Sequence, residues 1–166
     1  MDDTHPSRSA TVARRTAETD ITVTLSLDGV GAADVDTGIG FLDHMLTALA
    51  RAVGDKRGIR RYGQSLLPMD EALVEAALDL SGRPFLAWDV AFGRDKIGAM
   101  DTELFEEFFR ALAMNGLLTL HVTRRAGRNA HHVAEATFKA VARALRMAVE
   151  PDPRASDVIP STKGSL

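Results

Sequence analysis

Six residues carry the most chemistry in this chain: His131-His132-Val133-Ala134-Glu135-Ala136. They read as a helix that continues through Phe138-Lys139-Ala140-Val141-Ala142-Arg143-Ala144-Leu145-Arg146. Residues three and four apart share a helix face, so Glu135 sits beside both histidines and Lys139 follows one turn later. Imidazole and carboxylate on one stripe are donors for a first-row metal ion. The plainer reading is a polar helix start with Glu135 paired to Lys139. Two further histidines have plain readings of their own. His44 falls on an apolar helix face and reads as a core histidine; His121 falls in a strand and reads as bonded to a neighbouring carbonyl. With no cysteine in the chain, thiolate sites and disulfides are excluded. Histidine with carboxylate suits Mn, Zn, Fe or Ni about equally.

These residues need elements to hold them. Ile21 to Leu27 alternates apolar and polar and stops at Asp28-Gly29, the pattern of a half-buried strand and a turn. Val35 to Gly40 reads as a short strand or glycine-bearing loop. Phe41 to Ala50 reads as a helix with apolar residues at 41, 42, 45, 46 and 49, followed by a helix end closed at Gly54. Leu73 to Leu80 reads as a strand closed by Ser81-Gly82, and Phe85 to Phe92 as another. Thr102 is expected to cap an amphipathic helix running to Met114, with acids in its first turn. Leu117 to Thr123 reads as a strand, Ala126 to Asn129 as a turn, and Pro151 and Pro153 end the helical region.

Both halves therefore begin strand, strand, helix. The second half then adds a strand and the His131 helix, and the first half lacks their counterparts. If the halves are a duplication, roughly thirty residues are absent after about Ala50, enough for one strand and one helix. The expected organisation is a flexible arm over 1–12 and one domain over 13–166. That domain holds two repeats, about 13–67 and about 68–150, and a C-terminal tail.

Composition bounds the function. Net charge is −3, charged residues make up 26% and aromatics 5%. No global field favours nucleic acid or membrane, and the aromatics are too few for a base-stacking platform. No apolar run approaches a membrane span. No signal peptide is visible in Met1-Asp2-Asp3-Thr4-His5-Pro6, so the expected location is the cytoplasm.

The motifs in order go further. They are Arg15-Thr16-Ala17-Glu18-Thr19, Leu27-Asp28-Gly29, Thr37-Gly38-Ile39-Gly40-Phe41-Leu42-Asp43-His44-Met45-Leu46, and Gly54-Asp55-Lys56-Arg57-Gly58-Ile59-Arg60-Arg61-Tyr62-Gly63. Then come Pro68-Met69-Asp70-Glu71, Asp79-Leu80-Ser81-Gly82-Arg83-Pro84, Leu120-His121-Val122, Asn129-Ala130-His131-His132-Val133-Ala134-Glu135 and Pro160-Ser161-Thr162-Lys163-Gly164. Together they resemble the imidazoleglycerol-phosphate dehydratases of histidine biosynthesis, from about Arg14 to the C-terminus.

The resemblance implies an α+β fold of two similar halves, each a mostly antiparallel sheet with helices on one face, of the ribosomal protein S5 domain 2-like type. It implies dehydration of imidazole glycerol phosphate to imidazole acetol phosphate through a metal-bound imidazolate, with two divalent ions per site, manganese by family habit. By resemblance His44, His121, His131, His132 and Glu135 are metal ligands. Glu18 and Lys139 are catalytic, and Arg61, Arg83, Ser161 and Lys163 bind the substrate phosphate. The family also implies self-association into trimers that build a 24-subunit shell, with active sites between subunits.

One departure stands out. The family carries two His-His-x-x-Glu motifs, and the first would fall in the segment missing after about Ala50. Either the protein lacks that segment, or the segment exists and stands outside these 166 residues. The second is favoured, because deletion would leave unpaired backbone and bare apolar surface. A true deletion would leave a catalytically inactive structural relative. A metal-hydroxide hydrolase is the other rival, but His-His-x-x-Glu is not His-Glu-x-x-His and places no general-base glutamate between the ligands.

Overall fold

Alternating apolar residues build the first strand pair. The structure is a computed structural model that describes residues 8–15, 20–28, 49 and 51–161. Strands β1 (Ser9–Arg15) and β2 (Asp20–Ser26) pair antiparallel, with Val12 opposite Val23 and both buried. The strand β1 thus occupies residues 9–12, which were expected to be part of a flexible arm. Arg8 closes the hairpin's open end, its Nε donating to Asp28 Oδ1 at 3.0 Å. Residues 51–53 are helical and Gly54 follows at φ 60°, the left-handed turn expected of a helix C-cap. The strand or loop read at 35–40 and most of the helix read at 41–50 lie outside the described residues.

The chain divides into two units, Met1–Gly54 and Asp55–Leu166. The second holds β3 (Tyr62–Met69), β4 (Ala72–Asp79), β5 (Phe85–Asp89), β6 (Lys96–Ile97), β7 (Met100–Asp101), α1 (Glu103–Asn115), β8 (Thr119–Ala126) and α2 (Ala130–Val149). Its four-stranded sheet runs β3-β4-β8-β5. The ladders are antiparallel except β5 on β8, which is parallel. This is the mixed, mostly antiparallel α+β arrangement expected. The unit boundary falls at 54/55, which groups β3 with β4, its antiparallel partner.

Alternation decides which face is covered. Val74, Ala76 and Leu78 on β4 and Leu120 and Val122 on β8 are at most 3% exposed. Both helices lie on this face. Helix α2 lays a stripe of fully buried alanines on it, Ala136, Ala140, Ala144 and Ala148, at the four-residue spacing of one helix face. Small side chains permit a close seat. Gly63 completes it: a Cβ there would lie 1.8 Å from the Ala144 carbonyl oxygen. Helix α1 stacks Phe109 on Trp88 of β5, ring centroids 5.4 Å apart. Phe138 of α2 sits 4.9 Å from Phe109 and 5.1 Å from Phe108, joining the two helices.

Three expectations shift. Strand β3 escapes a pattern reading because it contains Gly63 and Pro68; it is an edge strand, where proline is tolerated. The β6–β7 hairpin was not anticipated. Thr102 does not cap α1 through its side chain: its backbone is already helical, and its hydroxyl donates to the Arg94 carbonyl at 3.0 Å. Among the described residues, no helix is long and apolar enough to cross a membrane.

Candidate functional site

The head of α2 is fixed from two directions. Gly127, at φ 124°, brings the chain from β8 into α2 hard against Ala72; a Cβ there would lie 2.9 Å from Ala72 Cα and from Val133 Cγ2. Asn129 then caps the helix, its side-chain oxygen accepting from the His131 N–H at 3.0 Å. From the other side comes the two-residue turn Asp70-Glu71, which joins β3 to β4 with Asp70 at φ 47°.

Glu71 binds that turn to the helix. Its Oε1 accepts the backbone N–H of Arg128 at 3.1 Å and of Asn129 at 2.7 Å. Its Oε2 lies 2.7 Å from His132 Nδ1. The His132 bond and the two backbone donors hold the Glu71 carboxyl down at about 2, and Glu71 in turn raises His132 above its ordinary value. Neither Asp70 nor Glu71 had a role in the sequence reading, although both stand in its Pro68-Met69-Asp70-Glu71 motif.

The stripe read from sequence forms beside them. His131 Nε2 is 3.5 Å from Glu135 Oε2, and Lys139 Nζ is 2.5 Å from Glu135 Oε1. Lys139, followed by the charges of His131 and His132, lowers the Glu135 pKa. The plain Glu135–Lys139 pair and the His–Glu pair therefore coexist. His132 Nε2 points toward Asp70 Oδ2 at 3.7 Å. Two donors bonded to one divalent ion at about 2.1 Å lie roughly 3 Å apart at right angles, so the His131–Glu135 spacing fits a shared ion. Among the described residues, however, no three such side chains converge on one point. The α2 head is a partial donor set.

A second cluster stands at the other end of the sheet. Arg61, almost buried and at φ 70°, donates Nε and Nη2 to Asp79 at 2.7 and 3.1 Å. Its Nη1 donates to the Pro160 carbonyl at 2.7 Å, and its guanidinium lies 4.7 Å over the Tyr62 ring. Arg61 therefore anchors the segment that carries Ser161. Arg83 is exposed just after the Ser81-Gly82 turn, its N–H donating to Ser81 Oγ at 3.1 Å. Lys56 faces the same group. Burial lowers its ammonium below the ordinary 10.5; Asp79 opposes this, and Arg61 and Arg83 add to it. Neither Lys56 nor Asp79 had a role in the sequence reading; a lysine in a turn and an acid closing a strand carry no local signal.

His121 belongs to this end. Its strand neighbours Leu120 and Val122 face the helices, so His121 faces the opposite, uncovered side. Its ring is 5.9 Å from that of Phe85. It lines a concavity of about 450 Å³ with Tyr62, Gln64, Asp79 and Thr119. The structure does not bring His121 to the α2 histidines. Glu18, His44 and Lys163 lie outside the described residues.

Comparison with known proteins bears on both clusters. Residues 47–145 match a family model described as imidazoleglycerol-phosphate dehydratase. The curated protein of that name from Gluconacetobacter diazotrophicus is 57% identical, covering 96% of this chain and 98% of the relative. Its counterpart from Granulibacter bethesdensis is 56% identical, over 96% and 100%. Both alignments run over 195 positions against a chain of 166 residues, so at least 29 aligned positions have no residue here. Among solved structures, imidazoleglycerol-phosphate dehydratase from Staphylococcus aureus superposes with a TM-score of 0.62 at 40% identity, over 66% of this chain and 69% of that one. The IGPD of Pyrococcus furiosus gives 0.63 at 33%, over 75% and 69%.

Proposed function

The chain belongs to the imidazoleglycerol-phosphate dehydratase family of histidine-biosynthetic hydro-lyases, and from that premise we propose that it dehydrates imidazole glycerol phosphate in the cytoplasm, at sites completed between copies of the chain. The reaction removes hydroxide from the carbon beside the ring and a proton from the next carbon. Water leaves, and the resulting enol becomes the ketone, imidazole acetol phosphate. A pair of divalent ions, manganese by family habit, supplies Lewis acidity toward the imidazole ring when bound.

The chain's own groups divide the remaining work. His131, His132 and Glu135 would hold the ions at the α2 head, with His44 and with His121 of another copy, since His121 stands at the far end of its own sheet. Lys139, held beside Glu135, is assigned the departing hydroxide, which its ammonium would assist. Glu18 is assigned the proton on carbon, a task that needs hydrogen-bond reach to the reacting group. Arg61, Arg83, Ser161 and Lys163 are assigned the phosphate, which charge-assisted donors bind best.

The observation that carries this reading is the pairing of a His–His–Glu stripe with the Lys56, Arg61 and Arg83 cluster at opposite ends of one sheet. Tyr62 pairs with Asp79 at one end and Met69 with Ala72 at the other. Seven strand rises of about 3.4 Å separate them by roughly 24 Å. A six-carbon phosphate ester is far too short to bridge that gap. On this reading the metal end of one copy meets the phosphate end of another, which would make assembly a condition of activity.

The test is turnover by protein of known intact mass. With Mn(II) added, imidazole glycerol phosphate should yield the ketone, and a panel of esters and peptides should not be cleaved. A 17.9 kDa chain that assembles yet yields no ketone would overturn the reading in favour of a structural relative.

A further inference from the structure

We propose that Glu71 is the positioning residue of the metal half-site: it selects the His132 tautomer whose Nε2 keeps its lone pair and turns that nitrogen to the ring's far side, beside Asn129 Nδ2 and Asp70 Oδ2. The inference rests on reading the α2 head as metal-binding and adds to it the residue that makes His132 a competent donor.

The carboxylate has little freedom. It sits in a two-residue turn whose ends are tied by the Met69–Ala72 pair. Oε1 is occupied by the N–H groups of Arg128 and Asn129. That fixes the carboxylate plane and leaves Oε2 facing His132 Nδ1 at 2.7 Å. An ionised carboxylate only accepts hydrogen bonds, so Nδ1 must carry a proton. A neutral imidazole has one proton to place, so Nε2 keeps its lone pair.

The far side of the ring gives the same answer independently. Asn129 uses its side-chain oxygen to accept from the His131 N–H, which fixes the amide's orientation. Its Nδ2 then faces His132 Nε2 at 3.3 Å. An amide NH₂ can only donate, so Nε2 must accept. Two neighbours joined to the ring by unrelated constraints thus agree on one tautomer, the one a metal ion requires. A carboxylate behind a ligating histidine is a recurring device for fixing ring orientation and raising basicity.

The discriminating variant is Glu71→Gln. A glutamine oxygen can still accept from Arg128 and Asn129, so the helix head keeps its anchor. The amide NH₂ then points at Nδ1 and makes it an acceptor, which moves the proton to Nε2 and blocks it. The probe is Mn(II) alone, titrated against a competing chelating dye with the intact protein. Hydrogen exchange at the Arg128 and Asn129 amides is followed in parallel. Mn(II) affinity should fall about 10- to 100-fold while exchange at those amides stays as in wild type. Affinity within twofold of wild type would overturn the inference. So would a loss of affinity accompanied by faster exchange, since Glu71 would then be only a structural anchor. Wild-type protein that takes up no Mn(II) would overturn the metal reading itself, and the inference with it.

Discussion

Gly63→Ala tests whether the α2 head owes its position to the seating of the helix on β3. Gly63 has no need of glycine's backbone freedom; it is required for space. An added Cβ would meet the Ala144 oxygen at 1.8 Å, the Ala144 carbonyl carbon at 2.7 Å and the Ala148 nitrogen at 3.0 Å. All three are backbone atoms of one helix, so no side chain can swing away. To bring the nearest contact to 3.0 Å, helix or strand must retreat by about 1.2 Å. That would open the dry contact between the alanine stripe and the sheet. Overpacking a tight core costs about 1–3 kcal/mol, and a rigid backbone obstacle belongs at the top of that range. Alanine restricts the unfolded chain and returns about 0.4–1 kcal/mol, so the expected net loss is about 2–3 kcal/mol. In a chain of this size that is a Tm lower by about 5–10 °C. The assay is thermal unfolding at one fixed protomer concentration, which holds any effect of the proposed assembly on Tm constant. Gly93→Ala is the control, with its nearest foreign atom 3.9 Å away. A shift of Mn(II) affinity should accompany the loss, because ligand geometry tolerates only about 0.2 Å. A Tm within 1 °C of the control, with unchanged Mn(II) affinity, would refute the claim that α2 is seated through Gly63.

Further outcomes follow from the same contacts. Asp79→Asn leaves the nearly buried Arg61 charge with the Pro160 carbonyl and no carboxylate. Urea unfolding should show a loss of about 3 kcal/mol, the low end for a broken buried pair because both side chains keep some exposure; a loss under about 1 kcal/mol would sink the anchoring role. The Glu71–His132 pair should give metal-free protein a pH window. The lowered Glu71 pKa makes its contribution complete above the ordinary 4.5 and lost as pH falls toward about 2. The raised His132 pKa makes its contribution complete below the ordinary 6.5 and lost as pH rises through the raised value. Protection factors of the α2 first-turn amides should therefore peak between pH 4.5 and 6.5, and a flat profile would count against the pair. If sites are completed between copies as proposed, metal binding and association are linked, and chelating all divalent ions should lower the assembly state seen by light scattering. An intact 24-mer after full removal would break that link.

Much of the site's local chemistry was legible in sequence. The His131–Glu135–Lys139 stripe depends only on helix periodicity, and periodicity is written in consecutive residues. The helix end at Gly54, the strand closing at Ser81-Gly82 and the stop at Pro151 are likewise local. What escaped was long-range or locally contradictory. Strand β3 carries Gly63 and Pro68, which argue against a strand until an edge position and an overlying helix are known. Thr102 has the right chemistry for a cap but not the backbone conformation, because its hydroxyl is drawn to Arg94 across the hairpin before α1.

The sequence by itself determined the order of the motifs, the family they belong to and the donors along one face of α2. Local rules suffice for those, because helix spacing and turn chemistry act over a few residues. Only the tertiary structure decided what each donor faces. Glu71 meets His132 across 61 positions, Arg61 meets Asp79 across 18 and Pro160 across 99, and His121 is turned to the sheet's uncovered side. Those meetings follow from strand register and from how closely a helix can sit on a sheet. Both are set by packing of the whole unit, where a one-residue slip would send every strand side chain to the other face.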